Sequence, residues 1–209
     1  MSNQKPSNRP ADDGNLTGVL KTAIRKEMQN MNVMLPAEVV SYDRATNRAV
    51  IKHLVQMQGS DGKIVSRAQL ASIRTYQFGN GAFSMGLPIK PGDKGWIKAA
   101  DRDISTFQQG LNESAPNTDR MHSFEDGLFM PDAMTQGAAP AGQDDAVVIG
   151  AVNGAAYIAF TGDRITLNVG GQVLELTADG LKHNGINIGD DHKHLDVTAG
   201  ADTTGVPES

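Results

Sequence analysis

The final quarter of the chain alternates aliphatic with polar residues in short runs, yet it holds nothing that closes a core of its own. Phe160 is the last aromatic residue, and the 209 residues include no cysteine. Within this tail Ile165, Leu167 and Val169 share one face of a predicted strand, as do Leu174 with Leu176 and Ile186 with Ile188. Alternate residues of a strand point the same way. Each face carries two or three aliphatics, worth about 1.5–3 kcal/mol apiece when fully buried. One chain of this length offers no second layer to cover them. Segments so small rarely stand alone without disulfides, a metal or oligomerisation, and the first is excluded. The pattern therefore predicts a homotrimeric, intertwined β-prism, with aliphatic faces turned to a common axis and polar faces to water. A solenoid within one chain is the alternative. Its repeat is uneven, nine residues from Ile165 to Leu174 and seven from Leu174 to Leu181.

Charge follows the same division. Lys and Arg total 19 against 24 Asp and Glu, a formal net charge of -5. Residues 1–164 carry 17 of each sign, so the whole negative excess lies in residues 165–209. No basic stripe is present, which argues against a nucleic-acid partner. Met1 to Gly14 is polar and has no apolar stretch of the kind a secretory signal needs. The longest uncharged run, Ala146 to Gly162, has 17 residues and is broken by Gly150, Asn153 and Gly154. It is too short for a membrane span, so the chain is expected to be soluble as made.

Residues 1–35 read as a polar arm followed by a short helix. Leu16, Leu20, Ile24, Met28 and Met31 recur at steps of three and four, Asn15 or Thr17 caps the start, and Pro36 is the expected stop. From Glu38 the period becomes two. Glu38–Asp43 and Arg48–Val55 flank the turn 44–47, a hairpin pattern, and further strands are predicted near Ala71–Phe78 and after Pro91-Gly92-Asp93. This puts a small closed barrel or sandwich at residues 36–108. Residues 109–145, with Pro116, Pro131 and Pro140, read as a surface linker. The strand ladder occupies 146–191, with 192–209 following it as a separate segment.

The sharpest local pattern is Asp190-Asp191-His192-Lys193-His194. In an extended segment His192 and His194 face one side and Lys193 the other. Two imidazoles per chain do not complete a structural metal site, but three chains about an axis supply six. That number disfavours zinc, which prefers four ligands, and suits six-coordinate iron or nickel. Other chemistry is weaker. Gly79, Gly81 and Gly86 lack dinucleotide-binding spacing, and Ser84 lacks a nucleophile-elbow arrangement. Asp101 and Asp103 form a carboxylate pair of the type glycoside hydrolysis uses, flanking Arg102 without an aromatic platform for sugars. His53 and His122 have no motif around them and read as ordinary polar residues.

Several segments taken in order carry a resemblance. They are Pro-Ala-Glu-Val-Val-Ser-Tyr-Asp at 36–43, Gly-Ala-Phe-Ser-Met-Gly-Leu-Pro-Ile-Lys-Pro-Gly-Asp-Lys-Gly-Trp at 81–96, Asp101-Arg102-Asp103-Ile104, Arg120-Met121-His122-Ser123, the Gly-rich ladder and the terminal His-Lys-His. The chain resembles, over about residues 16–200, the central spike proteins of contractile-tailed bacteriophages, related to baseplate assembly protein V. The resemblance implies a mainly β homotrimer with an N-terminal OB-fold, a triple-stranded β-helix and a pointed apex. It implies one iron ion per trimer, held octahedrally by His192 and His194 of each chain, with nickel or zinc less favoured. Asp190 and Asp191 would bring six acids near the cage, suited to a second cation or to keeping the tip soluble. The implied partners are tail hub and baseplate proteins, through the N-terminal domain, and the bacterial outer membrane as target. The implied location is the baseplate tip of the virion, after synthesis in the host cytoplasm. The implied role is a non-enzymatic piercing device. The alternative is a metal-dependent enzyme using the His pair, or a glycan-degrading tail protein using the Asp pair.

Overall fold

The computed structural model describes residues 15–58, 62–134, 140, 142–189 and 200. The chain divides into two compact units, residues 1–135 and 136–209. In the first, helix α1 (Leu16–Asn30) is capped by Asn15, whose side-chain oxygen accepts from the Gly18 N–H at 2.7 Å. The helix ends well before Pro36. Pro36 instead lies inside the first strand, opposite Trp96, and its carbonyl accepts from the Leu54 N–H. Leu16, Leu20, Ile24 and Met28 all remain exposed.

Five strands close into a barrel in the order β1 (Met34–Asp43), β2 (Arg48–His53), β3 (Leu70–Thr75), β5 (Met121–Pro131) and β4 (Lys94–Arg102), which returns to β1. Alternation predicts the first hairpin well, and β1 and β2 pair antiparallel from Asp43↔Arg48 to Ala37↔His53. The closing contact is non-local: β3 and β5 run parallel, Arg74 opposite Leu128 and Thr75 opposite Phe129. Residues 109–145 are therefore not simply a linker. Their central part, β5, brings Phe124 and Phe129 into the core with Val39, Ile51, Ile73 and Ile97. Gly95 permits this packing, since a Cβ there would lie 2.8 Å from the Phe129 ring and would collide with the Met130 carbonyl. A short helix α2 (Ser105–Gly110) and two small ribbons, Met57–Gln58 with Ile64–Val65 and Phe78–Gly79 with Ser84–Met85, decorate the barrel.

The second unit is one antiparallel sheet of six strands in sequence order: β6 (Val147–Gly150), β7 (Ala156–Phe160), β8 (Arg164–Val169), β9 (Gln172–Thr177), β10 (Gly180–His183) and β11 (Ile186–Asn187). Tight turns explain the meander. Gly170 and Gly171 both take positive φ between β8 and β9, and Asn184-Gly185 does so between β10 and β11. Two-residue turns of this hand match the twist of a hairpin. Each described strand pairing in this sheet is with the next strand of the same chain. A single sheet of sequential antiparallel strands replaces the alternative of a one-chain solenoid.

Candidate functional site

The register of the second unit sorts its side chains cleanly. Residues directly opposite each other across an antiparallel pair lie on one face. The pairings Ile149↔Ile158↔Leu167↔Leu174 form one row, and Val147↔Phe160↔Ile165↔Leu176↔Leu181 form the row beside it. A third, shorter row contains Ala156, Val169 and Gln172. The opposite face mixes the polar residues Arg164, Thr166, Asn168, Glu175 and Lys182 with Val148, Tyr157, Ala159 and Val173. Arg164 reaches Glu175 at 3.8 Å there. The aliphatic faces predicted strand by strand thus merge into a single apolar surface.

Burial runs against what a lone soluble sheet needs. On the polar face Ala159 and Thr166 are 1% and 2% exposed, while Val169 and Leu176 on the apolar face are 67% and 50% exposed. A contiguous apolar surface of this kind marks an interaction site.

The predicted metal ligands His192 and His194, and the neighbouring Asp190 and Asp191, lie outside the described residues. The last described strand, β11, ends shortly before them, and the Gly189 N–H donates to Asn187 Oδ1. Among the described residues no group of three or more His, Cys, Asp or Glu is placed to hold a metal within one chain.

Asp101 and Asp103 do not form an acid–base pair. Asp103 Oδ1 accepts from the Ser105 N–H at 2.9 Å and Oδ2 from the Thr118 hydroxyl at 2.7 Å. Hydrogen bonds from Ser105 and then Thr118, with the Arg120 charge adding less, hold its carboxyl down at about 2. Such a group stays ionised and is committed to structure, the reverse of a general acid. Asp101 is exposed and faces His122 at 3.4 Å.

The residue organising this corner is Arg120. Its Nε and Nη2 bind Asp126 at 2.7 and 2.8 Å, and its Nη1 reaches Glu125 at 3.1 Å. The Asp126 side chain is 5% exposed, so the bidentate pair satisfies a carboxylate that the barrel wall buries. Sequence patterning does not point to Asp126 and Glu125, because their strand falls in the Pro-punctuated span 109–145 that reads as a linker. The apolar run Leu128-Phe129-Met130 ahead of Pro131 was the available signal.

His53 lines the barrel interior, 5.0 Å from the Phe124 ring centroid, with neither ring nitrogen hydrogen-bonded. Burial holds its pKa below the ordinary value of 6.5, against an opposing backbone interaction at Ala68 and with a smaller contribution from the Arg67 charge. Two acid steps follow. The neutral His53 contributes stability that is present above pH 6.5 and lost progressively as pH falls below it. Asp103, with a folded pKa of about 2 against 3.8, contributes stability present above 3.8 and lost as pH falls toward 2. Thermal melts across this range are expected to show both declines in the barrel transition. His53→Phe should remove the upper decline and Asp103→Asn flatten the lower. Unchanged pH profiles in both variants would refute these assignments.

Residues 35–132 match the family model described as the phage protein Gp138 N-terminal domain. That span begins within β1 and ends just past β5, so it coincides with the barrel. No curated protein matches the chain. The N-terminal barrel is therefore similar to a domain of phage proteins, a similarity that supports a structural, tail-related role in the virion.

Proposed function

We propose that the protein is the central spike of a contractile tail baseplate, a trimer that pierces the host outer membrane during injection. The uncovered apolar face of the β6–β11 sheet carries this reading. Three such sheets packed about an axis would hide the twelve aliphatic and aromatic side chains of this face, from Val147 to Ile186, in each chain, with burial stabilising by about 25 cal/mol per Å². In this reading the triple-stranded β-helix takes the form of three packed meanders. The five-stranded barrel, with its order β1-β2-β3-β5-β4 and parallel β3–β5 contact, is an OB-fold. It attaches to the tail hub and baseplate.

Beyond β11, His192 and His194 of three chains form an octahedral cage for one iron ion. The donor set of six neutral imidazoles suits a six-coordinate transition metal with no position left open. The metal's contribution is mechanical: it ties the three chain ends where fraying would otherwise begin. Residues 190–209 carry five acids against the single base Lys193, so the segment that follows β11 has the sign of lipid phosphates, which limits adhesion to a crossed membrane.

Native mass spectrometry with elemental analysis tests the reading. The expected species has about three times the 22.2 kDa chain mass and one iron per three chains. His192→Ala should remove the iron. A monomer, or one metal per chain, would sink the proposal.

A further inference from the structure

The apolar face of the second unit has one titratable side chain among its described residues. His183 ends β10, directly opposite Leu174 of β9 on one side and Ile186 of β11 on the other. The register therefore extends the row Ile149, Ile158, Leu167, Leu174 through His183 to Ile186. This is the middle row of the three. On β8 it runs through Leu167, with Ile165 and Val169 to either side, and on β9 through Leu174, with Gln172 and Leu176.

The mount is rigid. His183 immediately precedes the Asn184-Gly185 turn, and the Asn184 side chain ties that turn to β9. Its Oδ1 accepts from the Val173 N–H at 2.8 Å, and its Nδ2 donates to Gln172 Oε1 at 2.8 Å. The Asn184 N–H also donates to the Val173 carbonyl at 2.8 Å. A slip of the hairpin would move His183 to the polar face, and these bonds oppose it.

Once the apolar face is covered, an imidazole in that row lies among aliphatic side chains and requires a partner, because a buried polar group without one is costly. Its cross-strand neighbours, Leu174 and Ile186, offer none. In the proposed threefold assembly, turning the middle row to the axis would bring its leucine and isoleucine side chains together there. The imidazole is longer than either, so it reaches the same place. There it would meet the same residue of the two other chains.

We propose that the three copies of His183 form a metal site on the threefold axis, one per trimer, which takes a divalent transition-metal ion through neutral imidazole nitrogens. The site rests on the trimer reading above and is separate from the cage assigned to His192 and His194. Three nitrogens leave room for a water or small anion along the axis, so the preferred ion is one content with four ligands, such as Zn²⁺, rather than a six-coordinate one. One fold would then hold two metal positions with different ligand numbers.

The test is zinc uptake by the purified full-length protein, read by native mass spectrometry. The wild-type trimer is expected to gain one Zn²⁺ per three chains on titration with zinc chloride. His183→Leu, which matches its neighbours, should keep the trimer mass and the iron content and lose the zinc. A wild-type trimer that takes up no zinc overturns the site, as does a His183→Leu trimer that still binds it. A wild-type monomer overturns the trimer reading instead, and the site with it. Cobalt substitution of the wild type needs no variant. Intense visible bands of low-coordinate Co²⁺ support the site, whereas only the weak bands of six-coordinate Co²⁺ refute it.

Discussion

Leu167→Asp is expected to leave a chain that elutes as a monomer of 22.2 kDa, with its barrel still folded. Leu167 sits at the centre of the apolar face, opposite Ile158 on β7 and Leu174 on β9. In the proposed trimer a carboxylate there would appear three times around one axis, buried and without a cation among its neighbours. Each uncompensated ion costs several kcal/mol after relaxation, and mutual repulsion adds to it. The total far exceeds what one leucine contributes, so dissociation rather than weakening is the expected outcome. Asn168→Asp is the control, since it places the same charge on the polar face one residue away and should leave the assembly intact. Light scattering coupled to size exclusion distinguishes the two. If Leu167→Asp retained a wild-type mass, the apolar face would not be the interface.

The second large effect belongs to the barrel. Phe129 is fully buried, pairs across β3 with Thr75 and across β4 with Ile97, and packs its ring against the bare face of Gly95. Phe129→Ala should lower the unfolding free energy of the first unit by about 3–5 kcal/mol, the range for truncating a buried phenylalanine to leave a cavity. The neighbouring backbone cannot collapse into the gap, because closed ladders on both sides of β5 fix its position. Urea titration followed by Trp96 fluorescence reads this unit alone, as Trp96 is the one tryptophan and lies on β4. A midpoint shift worth less than about 1 kcal/mol would mean that Phe129 does not fill the core.

The parts of the fold legible in the sequence were those with local pairing. The β1–β2 hairpin follows from alternation around the 44–47 turn, and the strands β7, β8 and β9 follow from aliphatic alternation between Gly-bearing turns. Strand β5 escaped because its signal is non-local and masked by polarity. Ser123, Glu125 and Asp126 interrupt its apolar residues, and only Arg120 makes the buried Asp126 tolerable. Its parallel neighbour β3 lies some fifty residues earlier, beyond the reach of any periodicity. Pro36 misled in a simpler way. A proline after a helix usually ends it, but here the helix closes at Asn30, and Pro36 serves in a strand where its carbonyl is the group that bonds to Leu54. No local pattern singles out His183. Its position in the middle row depends on the register of four successive hairpins, which no single segment specifies.

The consecutive order of β6 to β11 bears on how such an assembly is made. Each strand finds its partner a few residues away, so closing the sheet involves short loops and little entropy, conditions that favour fast folding. A newly made chain can complete its sheet before it meets another. During that interval the apolar face is bare, and association becomes a second-order event that competes with aggregation. Yield should therefore depend on how chain concentration is managed during synthesis, with slow expression risking lone chains and crowded expression risking disordered clumps. For the proposed trimer, assembly rather than chain folding becomes the kinetic bottleneck.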